Sequence, residues 1–294
     1  MPDLRTALLD LLRQLEGTAV QLIVGGGFGL FLRMERVRQL GVRTLLREWP
    51  EARSTNDLDL FLRAELLIHA AQLQPLRAAL KALGYEPVPE ARFYQFVRPG
   101  PQGAAGIKID LLTGPRERFT GTAVRTDARR AHPHPRVGLH AHPVDEAPTL
   151  EEALAVHRIS GRLSTGEPWE GQVLLPHAFP FLMMKLFAFR DRLTDGNKEF
   201  GRYHALDLYA ILATTTEEEW EQALRFGEQL AANRYVIEAG ELVRRYFGGQ
   251  DHVGVVRLRE SRYYRPEMES EDFASALAEV FPVRGGAQSP PRGG

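Results

Sequence analysis

Arg53-Ser54-Thr55-Asn56-Asp57-Leu58-Asp59-Leu60-Phe61-Leu62 reads as a β-strand with two unlike faces. Side chains alternate along a strand, so Leu58, Leu60 and Leu62 share one face, and Asp57 and Asp59 share the other. Two carboxylates two residues apart on a largely buried strand repel each other and are costly to desolvate. A divalent cation between them removes that cost, and hard cations take carboxylate oxygens. The pair is therefore first a candidate metal site. A second strand follows the same logic. In Lys108-Ile109-Asp110-Leu111-Leu112, Ile109 and Leu111 point one way, and Lys108 and Asp110 the other. Beside the Asp57/Asp59 strand, Asp110 would be a third convergent carboxylate. Three such groups can hold two metal ions, one at an attacking oxygen and one at a transferring phosphate.

Upstream, the apolar run Ala19–Val24 predicts a strand that enters Gly25-Gly26-Gly27 and then a helix from Phe28 to about Leu40. Glycines between a strand and a helix expose backbone N–H groups at a helix N-terminus, which suits phosphate. The same glycines also suit a tight turn with no ligand. No Gly-Lys-Ser/Thr follows, so this is not a P-loop. Leu30 stands where a dinucleotide fingerprint needs its last glycine.

Downstream, Lys185 is the only charge in the run Phe179–Phe189, and Asp207 is the only charge in Ala205–Ala213. Lysine is rarely buried without a partner. One reading pairs the two as a salt bridge between helices. The other aims Lys185 at a triphosphate, with Asp207 holding it and Arg192 on the same helical face. His132, His134, His140 and His142 form two His-x-His pairs in a Pro-rich stretch. Such pairs can bind a transition metal, but here we read them as incidental to a loop.

The rest of the chain frames these motifs. The 294 residues are 44% hydrophobic and 26% charged, an ordinary globular composition. A net charge of -1 argues against coating nucleic acid by bulk charge. Only four of the 37 basic residues are Lys, so 33 are Arg, and local phosphate-binding patches stay open. No Cys is present, which excludes disulfides, thiolate zinc sites and a Cys nucleophile and suits the cytoplasm. No apolar run has membrane-spanning length, and the N-terminus is not a secretory signal.

Periodicity predicts helices at 3–16, 68–83, 150–157, 178–192, 202–213, 217–246 and 270–280. A hairpin is expected from Phe93–Arg98 and Ile107–Leu112, and a last strand at Val173–Leu175. Residues 41–55 read as an irregular or short helical insertion, and 113–148 resist assignment. The expected fold is α/β (α+β): a small mixed sheet flanked by helices over 1–176, a mostly helical domain over 177–284, and a disordered tail over 285–294.

Gly25-Gly26, then Asp57-Leu58-Asp59, then Asp110 in an apolar strand resembles the nucleotidyltransferase superfamily with the polymerase-beta-like fold. Arg53 through Phe61 is similar to the AbiEii/MenT group of toxin-like nucleotidyltransferases, as are the helix with Lys185 and Arg192 and the segment His204–Tyr209. The likeness spans about residues 20 to 213. Gly27 stands where members often carry Ser or Thr, thirty positions separate Gly27 from Asp57, and nothing carries over to 113–148.

The resemblance implies transfer of a nucleoside monophosphate from an NTP to an acceptor hydroxyl. Asp57, Asp59 and Asp110 would hold Mg2+ or Mn2+, Gly25, Gly26 and Gly27 would cradle the triphosphate, and Lys185, with Arg192, would neutralise it. It also implies an RNA acceptor, such as a tRNA 3′ end, and a cognate antitoxin. A small-molecule, antibiotic-type nucleotidyltransferase would use the same carboxylates. A non-catalytic nucleotide-binding module on the same fold is a further alternative.

Overall fold

Strand Asp57–Leu62 forms as the alternation requires, with Leu58, Leu60 and Leu62 fully buried. It lies in a computed structural model that describes residues 4–282, apart from 52–54, 101–105, 135 and 196–197. The tail expected over 285–294, and Arg53 and Ser54 of the opening motif, fall outside the described residues.

The fold is mixed α/β. Ten strands are described: β1 (Ile23–Val24), β2 (Asp57–Leu62), β3 (Glu86–Pro87), β4 (Gln95–Arg98), β5 (Ile107–Thr113), β6 (Arg125–Thr126), β7 (Ala131–His132), β8 (His142–Pro143), β9 (Ala155–Arg162) and β10 (Pro168–Leu175). Eight of them make one mixed sheet in the order β3-β4-β5-β2-β1-β10-β9, with β8 beside the end of β5. Strands β6 and β7 form a separate ribbon. The helices are α1 (Leu4–Gln14), α2 (Gly26–Leu40), α3 (Ala64–Ile68), α4 (Gln74–Ala82), α5 (Ala178–Arg192), α6 (Lys198–Ala213), α7 (Glu217–Gln229), α8 (Arg234–Phe247), α9 (Val253–Arg259) and α10 (Ser270–Val280). None is long and apolar enough to cross a membrane.

Two pairings position the centre of the sheet. Strand β2 runs antiparallel to β1, with Val24 opposite Leu60. It runs parallel to β5, with Asp57 opposite Lys108 and Asp59 opposite Asp110. The leucine face of β2, together with Ile109 and Leu111 of β5, packs on residues of α1, α3 and α4 in one large core. The opposite face holds a small core of Ile23, Phe61, Ala147 and Leu150. A third core fills the helical part, α5 to α10, and takes in Leu30 and Met34 of α2.

Several expected elements differ. The helix expected over 150–157 does not form. Leu150 turns into the small core, Ala153 takes a φ of 49°, and the chain enters β9 at Ala155. Strand β9 alternates, with His157 and Ile159 buried, and pairs along its whole length with β10. The last strand is thus eight residues rather than three. The helix expected over 68–83 is split, because Pro75 opens a fresh helix at α4. The helix expected over 217–246 breaks where Asn233 caps α8, its Oδ1 accepting from Tyr235 N–H at 2.9 Å. Helix α9 is not among the helices that periodicity predicts. Residues 113–148 form the β6–β7 ribbon, β8 and connecting turns.

Helix α2 is tied to the helical part by one buried ion pair. Arg33 makes a two-pronged contact with Glu219 of α7, and Glu219 also accepts from the Ala178 N–H at 2.9 Å. The Arg33 guanidinium is further bonded to Thr214 and Thr215. Burial opposes ionisation of Glu219, but Arg33 outweighs it and holds the carboxyl below its ordinary value. Glu219→Ala leaves Arg33 buried without its carboxylate and should cost about 3–5 kcal/mol, read from urea unfolding at neutral pH. A carboxyl with a lowered folded value contributes stability above its unfolded value and loses it as the pH falls through the folded one. The difference between wild type and variant should therefore narrow in acid, and a constant difference across pH would contradict this assignment.

Candidate functional site: an aspartate cluster beside a glycine turn

The turn after β1 is locked to β2 by a single backbone bond, Gly25 N–H to the Asp59 carbonyl at 2.9 Å. Helix α2 then starts at Gly26, whose φ of +62° favours glycine. A Cβ on Gly26 would lie 1.6 Å from Asp59 Oδ2, and one on Gly25 would lie 2.4 Å from the Phe61 ring. Only glycine lets the turn approach β2 this closely. The helical ladder opens with Gly29 N–H donating to the Gly25 carbonyl at 2.7 Å. The N–H groups of Gly26, Gly27 and Phe28 are those that helix geometry leaves without intrahelical partners.

Asp57, Asp59 and Asp110 lie on the same face of the β2–β5 pair, by register and alternation. Asp57 is exposed at the start of β2, whereas Asp59 and Asp110 are half-buried. Burial pushes the Asp59 carboxyl up to about 6, Asp110 and Asp57 push the same way, and Lys185 pulls against them. Burial likewise raises Asp110, against a bond from Lys108 Nζ to its Oδ2 at 2.9 Å. The other oxygen, Asp110 Oδ1, is buried with no hydrogen-bond partner. Among the described residues, no three His, Cys, Asp or Glu side chains are grouped so that they could hold a metal ion together.

Lys185 and Asp207 meet, as both sequence readings have it. Lys185 Nζ donates to Asp207 Oδ2 at 2.7 Å, between α5 and α6, and both side chains are buried. Lys185 is also near enough to Asp59 for its charge to favour the ionised carboxylate. Gly27, Leu30, Glu51, Leu206 and Asp207 line a small cleft where α2 meets α6. Arg192 lies two turns beyond Lys185, about 10 Å along the helix axis, and pairs with Asp195 at 3.2 Å.

Two neighbours of the cluster have no role in the sequence reading. Lys108 pairs with Asp110, and its place on the aspartate face is visible from alternation. Gln95 of β4 lies opposite Asp110 and favours its ionised form. Only the hairpin register points to Gln95.

The Lys185–Asp207 pair gives a direct test of packing at the site. Lys185→Met should lower unfolding stability by about 3 kcal/mol, because it leaves a buried carboxylate without its ammonium. Lys185→Met combined with Asp207→Leu should recover part of that loss, as coupled neighbours do. Additive losses in a urea-unfolding cycle would show that the two side chains are not coupled.

No protein-family model matches the chain, and no curated protein does. Among solved structures, the chain is similar to the solution structure of the antibiotic-resistance factor ANT(2'')-Ia, at 15% identity and a TM-score of 0.36. The likeness covers 78% of this chain and 94% of that one.

Proposed function

We propose that the chain is a metal-dependent nucleotidyltransferase that moves a nucleoside monophosphate from an NTP to an acceptor hydroxyl. The observation that carries this reading is the register that sets Asp59 opposite Asp110, with Asp57 on the same face and the glycine turn bonded to Asp59's own carbonyl. The donor set suits magnesium or manganese. It consists of hard carboxylate oxygens, one of them, Asp110 Oδ1, buried and unpartnered. Asp57, Asp59 and Asp110 would hold the ions, which when bound supply positive charge to the triphosphate and to the attacking oxygen.

The chain's own groups do the rest by position and charge. N–H groups at the start of α2, from Gly26 and Gly27, face phosphate oxygens, and Gly25 holds the turn against β2. Lys185, steadied by Asp207, neutralises charge on the triphosphate. The acceptor oxygen bonds to the α-phosphorus as the bond to the β-phosphate bridge breaks, and pyrophosphate leaves. Asp110 favours deprotonation of the acceptor hydroxyl. Arg192 joins this set only as an outer contact to the phosphates. The resemblance of residues 53–61 to AbiEii/MenT enzymes favours RNA as the acceptor, with an antitoxin as partner. A small-molecule hydroxyl would be served by the same carboxylates.

Melting temperature should rise more with NTP and magnesium together than the sum of their separate effects. A ligand at about 100 times its dissociation constant adds about 2.7 kcal/mol. Asp59→Asn should abolish both the synergy and the transfer of labelled nucleotide. In the absence of metal it should melt no lower than wild type, because a crowded negative charge has been removed. Full transfer activity in Asp59→Asn would remove the carboxylates from the chemistry.

A further inference from the structure

The Arg/His/Pro segment within residues 113–148 builds a second, separate cleft. It has a volume of about 500 Å³, and its walls include Phe93, Arg125, Arg130, His132, Arg136 and His140. Among the described residues, no acidic side chain lines it. The nearby carboxylate of Asp127 is already committed: it accepts from the Arg129 and Arg130 N–H groups at 2.7 and 2.9 Å, and its Oδ2 meets His132 Nε2 at 2.9 Å and the Arg130 guanidinium at 3.4 Å. Arg125 and Arg136 are exposed and make no ion pair among the described residues.

The floor of the cleft is a column of flat groups. The Arg92 guanidinium lies 4.6 Å from the Phe93 ring centre. Phe93 stacks on His140 with centroids 4.3 Å apart at 21°, and His140 meets His132 at 4.5 Å. His140 is only 9% exposed, yet its Nδ1 has no hydrogen-bond partner. Burial, with help from His132 and Arg130, pulls His140 down to about 4, so the ring is neutral at pH 7. A neutral, buried imidazole with an unused nitrogen costs free energy until something bonds to it. At the other end of the column the His132 side chain is 29% exposed and can carry one more ring.

We propose that this cleft binds a nucleoside phosphate, its base stacked on the Phe93–His140–His132 column and its phosphate held by Arg125, Arg130 and Arg136. Flat rings beside arginine forks are what stacking and phosphate recognition require. The ligand is either a free nucleotide or one unit of a single strand. The cleft adjoins the strand hairpin of the aspartate cluster, since Phe93 lies two residues before Gln95, which faces Asp110. The assignment does not depend on the reaction assigned to that cluster.

Binding is measured by anisotropy of a labelled single-stranded oligoribonucleotide, in EDTA and without NTP, so the aspartate cluster takes no part. Wild type should bind it with a steep salt dependence. Arg125→Ala with Arg136→Ala should weaken binding about tenfold or more and reduce the slope of log Kd against log salt by about 1.4, two phosphate contacts' worth for a single strand. Both arginines are exposed, so unchanged circular dichroism is expected and is checked. His132→Ala should weaken binding about tenfold through the lost stack. Competition by free AMP or UMP at equal phosphate would identify a free nucleotide as the ligand, and competition by oligonucleotide alone would identify a strand. No binding of either probe to wild type overturns the proposal, and so does unchanged affinity in the arginine double variant. Inorganic polyphosphate competing as well as the oligonucleotide at matched charge would overturn the stacking half.

Discussion

Strand β2 must bury three leucines on one side while it carries two carboxylates on the other, and its neighbours are arranged around that demand. Burial of Leu58, Leu60 and Leu62 dominates, since each side chain contributes about 1.5–3 kcal/mol. It holds the strand at the centre of the sheet, and the alternation of side chains then leaves Asp57 and Asp59 nowhere else to point. The parallel partner β5 repeats the pattern with Ile109 and Leu111 against Lys108 and Asp110. Hydrophobic register thereby sets electrostatic register. A shift of one residue would bury the aspartates in the leucine core, so the carboxylates are aligned by a force that has nothing to do with their charge.

The second organising piece is α5. It is apolar on nearly every side, with ten of its fifteen residues buried, as expected of a helix packed all round. It gives Phe179, Phe181 and Leu182 to the helical core and touches the small core under the sheet through Met184. Lys185 follows directly. A lone ammonium in such a helix needs a carboxylate, and α6 supplies Asp207. Glu219 plays a related part at the start of α5, where it joins Arg33 of α2 to the Ala178 N–H. The Arg33–Glu219 pair thus fastens the helical part to the helix that starts at the glycine turn, and the Lys185–Asp207 pair joins α5 to α6 within it.

Much of this is legible in the sequence wherever one periodicity dominates. The alternation in β2 and β5 identifies their faces, and the single charges of two apolar helices identify the Lys185–Asp207 contact. Legibility ends where local preference and tertiary packing disagree. Glu151, Glu152, Ala153 and Leu154 favour a helix, but burial of Leu150 in the small core and the left-handed turn at Ala153 direct the chain into β9. Strand β9 itself is hidden because only His157 and Ile159 are buried, while Val156 is exposed. The histidines at 132 and 140 look incidental to a loop when only their spacing is considered. The stacking of His132 on His140, and of His140 on Phe93, comes from pairings between distant segments, Ala131 with Ala141 and His140 with Phe93, that no local spacing reveals.

The bond from Gly25 N–H to the Asp59 carbonyl gives one residue two duties. Its main chain anchors the turn, and its side chain stands in the aspartate cluster. The spacing between turn and carboxylate is consequently fixed by the bond lengths of one amino acid and a single hydrogen bond, so it works as a ruler rather than a hinge. Missing Cβ space at Gly26 closes the ruler from the other side. Whatever the site holds, error in the relative placement of its two halves does not accumulate over the 29 residues of chain that separate Gly27 from Asp57. The connection that follows α2 can therefore change in length without altering this spacing.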